Sequence, residues 1–194
     1  VAASLTAGMA LFFVFFAAGM PLVSTLDERS RGTLARILAA PVPAMSVAAG
    51  KAAAAIVLGI VSIGSLAVAS TLLLGADWGP PLGVALLVSA AVISATGIMA
   101  VAGVAARTTE QAGNAQGIVA VVLALLGGGF APVNGSAGGF EPVARFTPHG
   151  RFLGGLEALQ DGVAAALPSV AALLAMGVVT GAIGLAIAGR TVRP

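Results

Sequence analysis

The chain has 194 residues, of which 59% are hydrophobic and 8% charged, and its mean hydropathy is +1.09. Soluble domains carry about a quarter charged residues, so this composition excludes a water-soluble globular domain and points to a helix bundle solvated by lipid. Nine basic and seven acidic groups leave a net charge of +2, too slight to suggest nucleic-acid binding despite a pI near 10.5, and the absence of cysteine excludes disulfides, thiolate metal sites and cysteine nucleophiles.

In chain order, five apolar runs are long enough to cross a hydrocarbon core, which takes roughly 20 residues: 5–26, 52–76, 82–106, 115–133 and 163–189. The expected fold class is therefore all-α, a polytopic membrane helix bundle of five transmembrane helices in a single domain over 1–194. The chain opens on VAASLTAGMALFF, with neither Met nor a basic residue ahead of the apolar run. A signal peptide would need that basic flank, so the chain reads as a fragment or processed product with further sequence expected upstream.

Between the first two runs lies STLDERSRGTLARILAAPVPAMSVAAGK, residues 24–51, which holds six of the sixteen charged residues, whereas 1–26 and 52–76 hold none. Leu34, Ile37 and Leu38 stand at i, i+3 and i+4, and Arg29, Thr33 and Arg36 at i, i+4 and i+7. This spacing predicts an amphipathic helix of about ten residues with two chemically distinct faces. Ser30 is the expected N-cap and Gly32 weakens the first turn. Pro41 and Pro43 close the helix, because proline has no N–H to donate and disfavours helix in the residue before it. Periodicity leaves two readings open: an interfacial helix whose arginines snorkel and anchor the loop, and a docking helix for a cytoplasmic protein.

Lys and Arg collect on the cytoplasmic side of membrane proteins. With the loop 27–51 inside, Arg29, Arg31, Arg36, Lys51, Arg107, Arg190 and Arg193 are cytoplasmic and only Arg145 and Arg151 lie outside, seven against two. The chain is thus expected in the inner (plasma) membrane, its N-terminus outside and its C-terminus cytoplasmic. DWGPP, residues 77–81, is then an outer turn in which Trp78 is expected at the interface. On the inner side Arg107 and Glu110 stand at i, i+3. They read either as a solvated turn with a weak ion pair or as a second contact for a partner.

The outer segment 134–162 is too polar to span and too apolar for a free loop, with Phe140, Val143, Phe146, Phe152, Leu153, Leu156 and Leu159 at helical spacings and Pro148 breaking them. Two short helices are expected, near 141–146 and 149–160, dipping into the outer leaflet where packed protein satisfies the backbone. Gly127-Gly128-Gly129, followed by Pro132, is expected to end or bend the fourth span. Glycines at spacing four, Gly113 with Gly117 and Gly177 with Gly181, fit close helix contact, but among 27 glycines such pairs arise by chance, and composition is the reading taken. His149, the sole histidine, has no ligand cluster beside it and reads as a capping or interfacial residue. Asn134-Gly135-Ser136 reads as a chance glycosylation sequon. No charged residue lies inside a run, so proton or ion sites built from intramembrane carboxylates have no candidate; the hydroxyls in the runs are expected to bond to their own or a neighbouring helix.

The order of the island residues adds a resemblance. Glu28-Arg29, Arg31-Gly32-Thr33-Leu34, Arg36, Ile37-Leu38, Pro41 and Gly50-Lys51 make the segment closely resemble the cytoplasmic loop after the second span of ABC type-2 transporter permeases. ARTTEQAGNAQG, residues 106–117, is similar to that family's inner turn between its fourth and fifth spans. FTPHGRFLGGLEAL, residues 146–159, is similar to its re-entrant outer helices, in which Phe146, Pro148, Phe152 and Leu156 mark the segment; Arg151 stands where an aromatic residue is expected.

The resemblance implies a six-span half-transporter whose first span lies upstream, a second permease half completing a homo- or heterodimer, and a cytoplasmic ABC ATPase subunit beneath each half. It implies that the island is a coupling helix. Leu34, Ile37 and Leu38 would anchor in an ATPase groove, Glu28, Arg29, Arg31 and Arg36 would set register and charge complementarity around Gly32 and Thr33, and Arg107 with Glu110 would add a smaller contact. No cofactor is expected on this chain, ATP and Mg belonging to the partner. A phosphate loop needs Gly, four residues, Gly-Lys and Ser or Thr; Gly50-Lys51 has Met45 at the first position and Ala52 at the last. The implied function is the permease subunit of an ATP-driven exporter, not itself an enzyme, moving an amphipathic or lipid-like substrate outward. Two other classes stay open: a non-transporting membrane scaffold, and a membrane-embedded lipid-modifying enzyme using Glu141, His149, Glu157 or Asp161.

Overall fold

The computed structural model describes residues 2–40, 43–104, 106–130 and 141–191. These form helices α1 (Ala2–Ser30), α2 (Thr33–Leu38), α3 (Ala44–Leu74), α4 (Pro81–Val104), α5 (Thr109–Leu126), α6 (Glu141–Ala144), α7 (Pro148–Ala158) and α8 (Val163–Thr191), with a 3-10 turn, Leu159–Asp161, before α8. No strand occurs among the described residues. The all-α bundle is what the bilayer demands, since a helix satisfies its backbone groups internally.

Among the described residues, four helices are long and apolar enough to cross a membrane, over Leu5–Ser30, Met45–Leu74, Pro81–Gly103 and Val163–Ile187. The fifth expected run, 115–133, maps onto α5, which has 18 residues, begins with the polar series TEQAGNAQ and stops at Leu126, so it is shorter and more polar than expected. Its end follows from the glycine run: Gly127 caps the helix, and Gly128 adopts a left-handed φ of 78° that side chains other than glycine resist. Pro132 and the sequon lie outside the described residues.

The two helices flanking the island also exceed their apolar runs. α1 continues four residues past Leu26 because its last turns are braced by local polar contacts: Ser24 Oγ donates to Glu28 Oε1 at 3.1 Å and Arg31 Nε to Asp27 Oδ1 at 3.0 Å. α3 starts at Ala44, with Pro43 as its N-cap, well before the predicted 52.

Packing depends on close backbone approach. Lipid tails are as apolar as leucine, so no hydrophobic force drives spanning helices together, and van der Waals contact through small residues must serve. The most extensive pairing is α4 with α8, which run parallel: Ile93 and Gly97 meet Gly177, and Ala100 meets Gly184. A Cβ on Gly177 would stand 2.8 Å from the Ile93 carbonyl carbon and oxygen. The compositional reading of Gly177 is corrected accordingly, since this glycine marks a real helix contact. It holds for Gly113, around which a Cβ would meet nothing within 4 Å.

α1 runs antiparallel to both α3 and α5. Gly59 of α3 lies against Val14 of α1 and Val92 of α4, Gly8 of α1 lies against the Gly129 backbone, and Gly19 against the Gln116 side chain. The core between these helices buries Leu11, Phe15, Leu87, Val92, Met99, Phe152 and Leu173 completely. Ser65, Ser70, Ser89, Thr96 and Thr180 donate to carbonyls of their own helices, as expected. Trp78 is buried within the turn 77–81, with Nε1 donating to Ser70 Oγ at 2.8 Å, because Ser70 offers the acceptor that a buried indole needs.

Gly97→Ala and Gly177→Ala are expected to lower stability by about 1–3 kcal/mol, the cost of overpacking a close contact. Gly113→Ala and Gly64→Ala, where the space is open, are expected to be neutral or to gain up to about 1 kcal/mol from the glycine they remove. Thermal unfolding of the four variants in one detergent measures the contrast.

Candidate functional site

The connection between α1 and α3 is where the island residues sit, and its geometry differs from a single ten-residue amphipathic helix. Ser30 is the last residue of α1 rather than an N-cap, its hydroxyl donating to the Asp27 carbonyl at 2.8 Å. The chain then turns at Gly32, which adopts φ 72° as the N-cap residue of α2 and makes no side-chain cap. Thr33 Oγ1 ties the turn back to the Glu28 carbonyl at 3.0 Å. α2 has only six residues, Thr33–Leu38. Arg29 therefore belongs to α1, and the predicted face of Arg29, Thr33 and Arg36 is split across two helices.

On α2, Leu34 is half-buried, Ile37 is 40% exposed, and Arg36 points to solvent. Leu38 is the final residue of the helix, and Pro41 lies outside the described residues. Arg31 is paired with Asp27, but both side chains are well exposed, so that pair contributes little.

The larger correction concerns Lys51, which lies within α3 and not in a loop. Its ammonium donates to Glu28 Oε2 at 2.7 Å, Thr25 Oγ1 at 3.1 Å and Ser24 Oγ at 3.3 Å. Ser24, Thr25 and Glu28 stand at i, i+1 and i+4 on α1, one face turned to α3, so one lysine satisfies all three of its donors on the neighbouring helix. The side chains are 21% and 26% exposed, sheltered enough for the contact to outweigh an exposed pair. Glu28 thus fastens α1 to α3 and is occupied within the chain. Sequence reasoning missed this because the staple requires both helices to extend past their apolar runs.

Behind Lys51 a cleft of about 510 Å³ opens between α1, α3, α4 and α8, walled by small residues such as Ala18, Ala52, Gly97, Ala100 and Gly181. Its hydroxyls are already bonded, Thr25 to the Pro21 carbonyl at 2.7 Å and Thr96 to the Val92 carbonyl at 2.9 Å. The wall is therefore chemically apolar.

At the turn between α4 and α5, Arg107 and Glu110 form no ion pair with each other among the described residues. Thr108 caps α5 instead: its Oγ1 accepts from the Gln111 N–H at 3.2 Å while Gln111 Oε1 accepts from the Arg107 N–H at 3.0 Å, a capping-box arrangement. Glu110 and the Arg107 side chain are exposed.

Between α5 and α8 the two expected short helices are present as α6 and α7. Thr147 is the N-cap of α7, accepting from Gly150 N–H at 3.0 Å and donating to the Ala144 carbonyl at 2.8 Å, and Pro148 occupies the first turn, where its missing donor costs nothing. Pro148, Phe152 and Leu156 are buried against the bundle, whereas Phe146 is 77% exposed and points away from it.

His149 is neither a cap nor interfacial. It is fully buried, its ring stacked on Phe15 of α1 at 5.0 Å, and neither ring nitrogen has a hydrogen-bond partner among the described residues. Room for it comes from the glycine run. A Cβ on Gly127 would collide with the His149 Cβ, and one on Gly129 would stand 3.0 Å from its Cδ2. Burial pushes the imidazole pKa down to about 4, so the ring is neutral at pH 7. Glu157 and Asp161 are exposed, so no acid–base pair gathers around it.

A Glu28→Gln, Lys51→Met double-mutant cycle is expected to show a favourable coupling on the order of 1 kcal/mol in unfolding experiments, with the single Glu28→Gln change loosening α1 from α3. Additive single effects would show that the two side chains do not support each other.

The profile of the ABC-2 type transporter family matches residues 2–160. The chain is 28% identical over 186 residues to the linearmycin resistance permease protein LnrN of Bacillus subtilis (strain 168), a match covering 94% of this chain and 48% of that protein. It thus spans about half the length of that curated relative. No solved structure matches it significantly. With the family profile covering most of the chain and the apolar helix bundle to which it corresponds, this protein belongs to the ABC-2 type transporter family.

Proposed function

We propose that the chain is the transmembrane half of an ATP-driven exporter, coupled to a separate cytoplasmic ABC ATPase through the hairpin of α1, α2 and α3. The observation that carries this reading is α2 itself. A six-residue helix with an exposed Ile37 and a half-buried Leu34 projects from two membrane helices that are fastened together beside it by Glu28 and Lys51. Aliphatic anchors in a partner's groove provide affinity, and the exposed Arg29, Arg31 and Arg36 provide charge complementarity. A force on α2 then reaches α1 and α3 together. ATP and Mg belong to the partner, with the hairpin cytoplasmic, Thr108–Glu110 a lesser contact, and the α6–α7 segment on the outer side of the inner membrane.

The apolar cleft behind Lys51 supports an amphipathic or lipid-like cargo, and a relative whose name records resistance supports outward transport. The second permease half is proposed to pack on α1, which leaves Phe13, Phe16 and Met20 exposed on the side opposite its buried residues.

Ile37→Asp is expected to weaken ATPase docking by about 2 kcal/mol, roughly 30-fold, as loss of an interface anchor does, while leaving the protein folded because the side chain is exposed. Affinity for the co-expressed ATPase, measured by co-purification and titration, checks this; unchanged docking and unchanged substrate-stimulated ATP hydrolysis would contradict it. Since the chain has no cysteine, a single Met20→Cys substitution is expected to yield a cross-linked pair of permease halves in membranes, and cross-linking no stronger than at the core position Leu11→Cys would argue against α1 as the contact.

A further inference from the structure

The middle of α1 is joined to the re-entrant helix by a contact with unusual chemistry. The first turn of α7 is seated in a socket made by Phe15 of α1 and the Gly127–Gly129 end of α5, and its filling is a histidine, a residue whose polar atoms normally find partners when buried. Here the ring lies 5.0 Å from the Phe15 ring, with 27° between their planes, and is fully enclosed. Both nitrogens are unpartnered among the described residues. Among the described side chains, no carboxylate pairs with the ring. The outer half of α1 carries no ionisable residue, α4 none, α8 only Arg190 at its far end, and α5 only Glu110 at the end opposite Gly127. Residues 131–140 contain none, and the α6–α7 segment contributes Arg145 and Arg151 beside the exposed Glu157 and Asp161, with Glu141 as its remaining acid.

We infer that His149 is a positioning residue that holds the re-entrant helix α7 on α1 only as the neutral imidazole, so that protonation from the outer side releases α7. The inference rests on reading α7 as the outer cover of the transport path. The charged ring would occupy a site with no anion to meet it, next to the N-terminus of α7, whose dipole also disfavours a cation. The sign follows from the direction of the shift. The ordinary imidazole titrates near 6.5 and this one near 4, so the contact's contribution is complete above pH 6.5 and is lost progressively as pH falls toward 4. Because the same helix, α1, carries Glu28 and the turn to α2 at its inner end, the state of His149 bears on the element that the inner hairpin moves.

The test is amide hydrogen exchange of residues 148–158 in the purified full-length protein from pH 7 to pH 4, each value referred to a His149→Phe variant at the same pH. Phenylalanine keeps the ring contact and cannot titrate. The expected result is equal protection at pH 7 and at least tenfold faster exchange in the wild type near pH 4, with His149→Lys unprotected at both. A wild-type profile that tracks His149→Phe over the whole range would overturn the inference, as would full protection in His149→Lys. Should His149→Phe fail to fold, His149→Leu serves as the reference. The readout needs neither ATPase nor cargo, so it can fail while the transport reading stands, and the converse.

Discussion

Lipid removes the force that packs soluble proteins, and everything else in this fold follows from what replaces it. With no hydrophobic gain from bringing spanning helices together, stability must come from backbones that approach closely and from the few polar contacts that lipid cannot compete for. The parallel α4–α8 pair uses the first means, with Gly97, Gly177 and Gly184 at its seam. The antiparallel α1–α3 pair uses the second, at Glu28 and Lys51.

α1 is the element on which the proposed mechanism turns. It contacts α3, α4, α5 and α7, so it is shared by the α1–α3 hairpin and the α6–α7 segment. Near one end it is held to α3 by a lysine whose donors are all satisfied; at its midpoint Phe15 meets His149. One helix therefore carries both contacts, with Pro21 between them, and this gives the proposed coupling a physical route from α2 toward α7. The closely packed α4–α8 pair is the body against which such movement would occur.

Much of this was legible in the sequence, for identifiable reasons. Apolar length located four spanning helices, Thr147-Pro148 and Gly127–Gly129 located the breaks around the re-entrant segment, and the order of residues from Glu28 to Lys51 identified the family. The fifth run came out as a shorter helix because it was counted across the glycines that end α5 at Leu126. The island helix came out at six residues because periodicity cannot show that Ser24–Glu28 and Asp27–Arg31 contacts carry α1 onward to Ser30. The roles of Lys51, His149 and Gly177 were hidden for a shared reason: each is set by a residue far away in the chain on another helix, and single-chain spacing carries no record of that neighbour.

The central claim is that Glu28 and Lys51 make α1 and α3 move as one unit when the ATPase acts on α2. The most direct measurement is substrate-stimulated ATP hydrolysis by the reconstituted transporter carrying Glu28→Lys, Lys51→Glu, or both. The account predicts that each reversal alone lowers stimulation and that the double reversal, which restores an opposite-charge pair between the same helices, recovers most of it. Full stimulation in both single variants, or no recovery in the double variant, would contradict it.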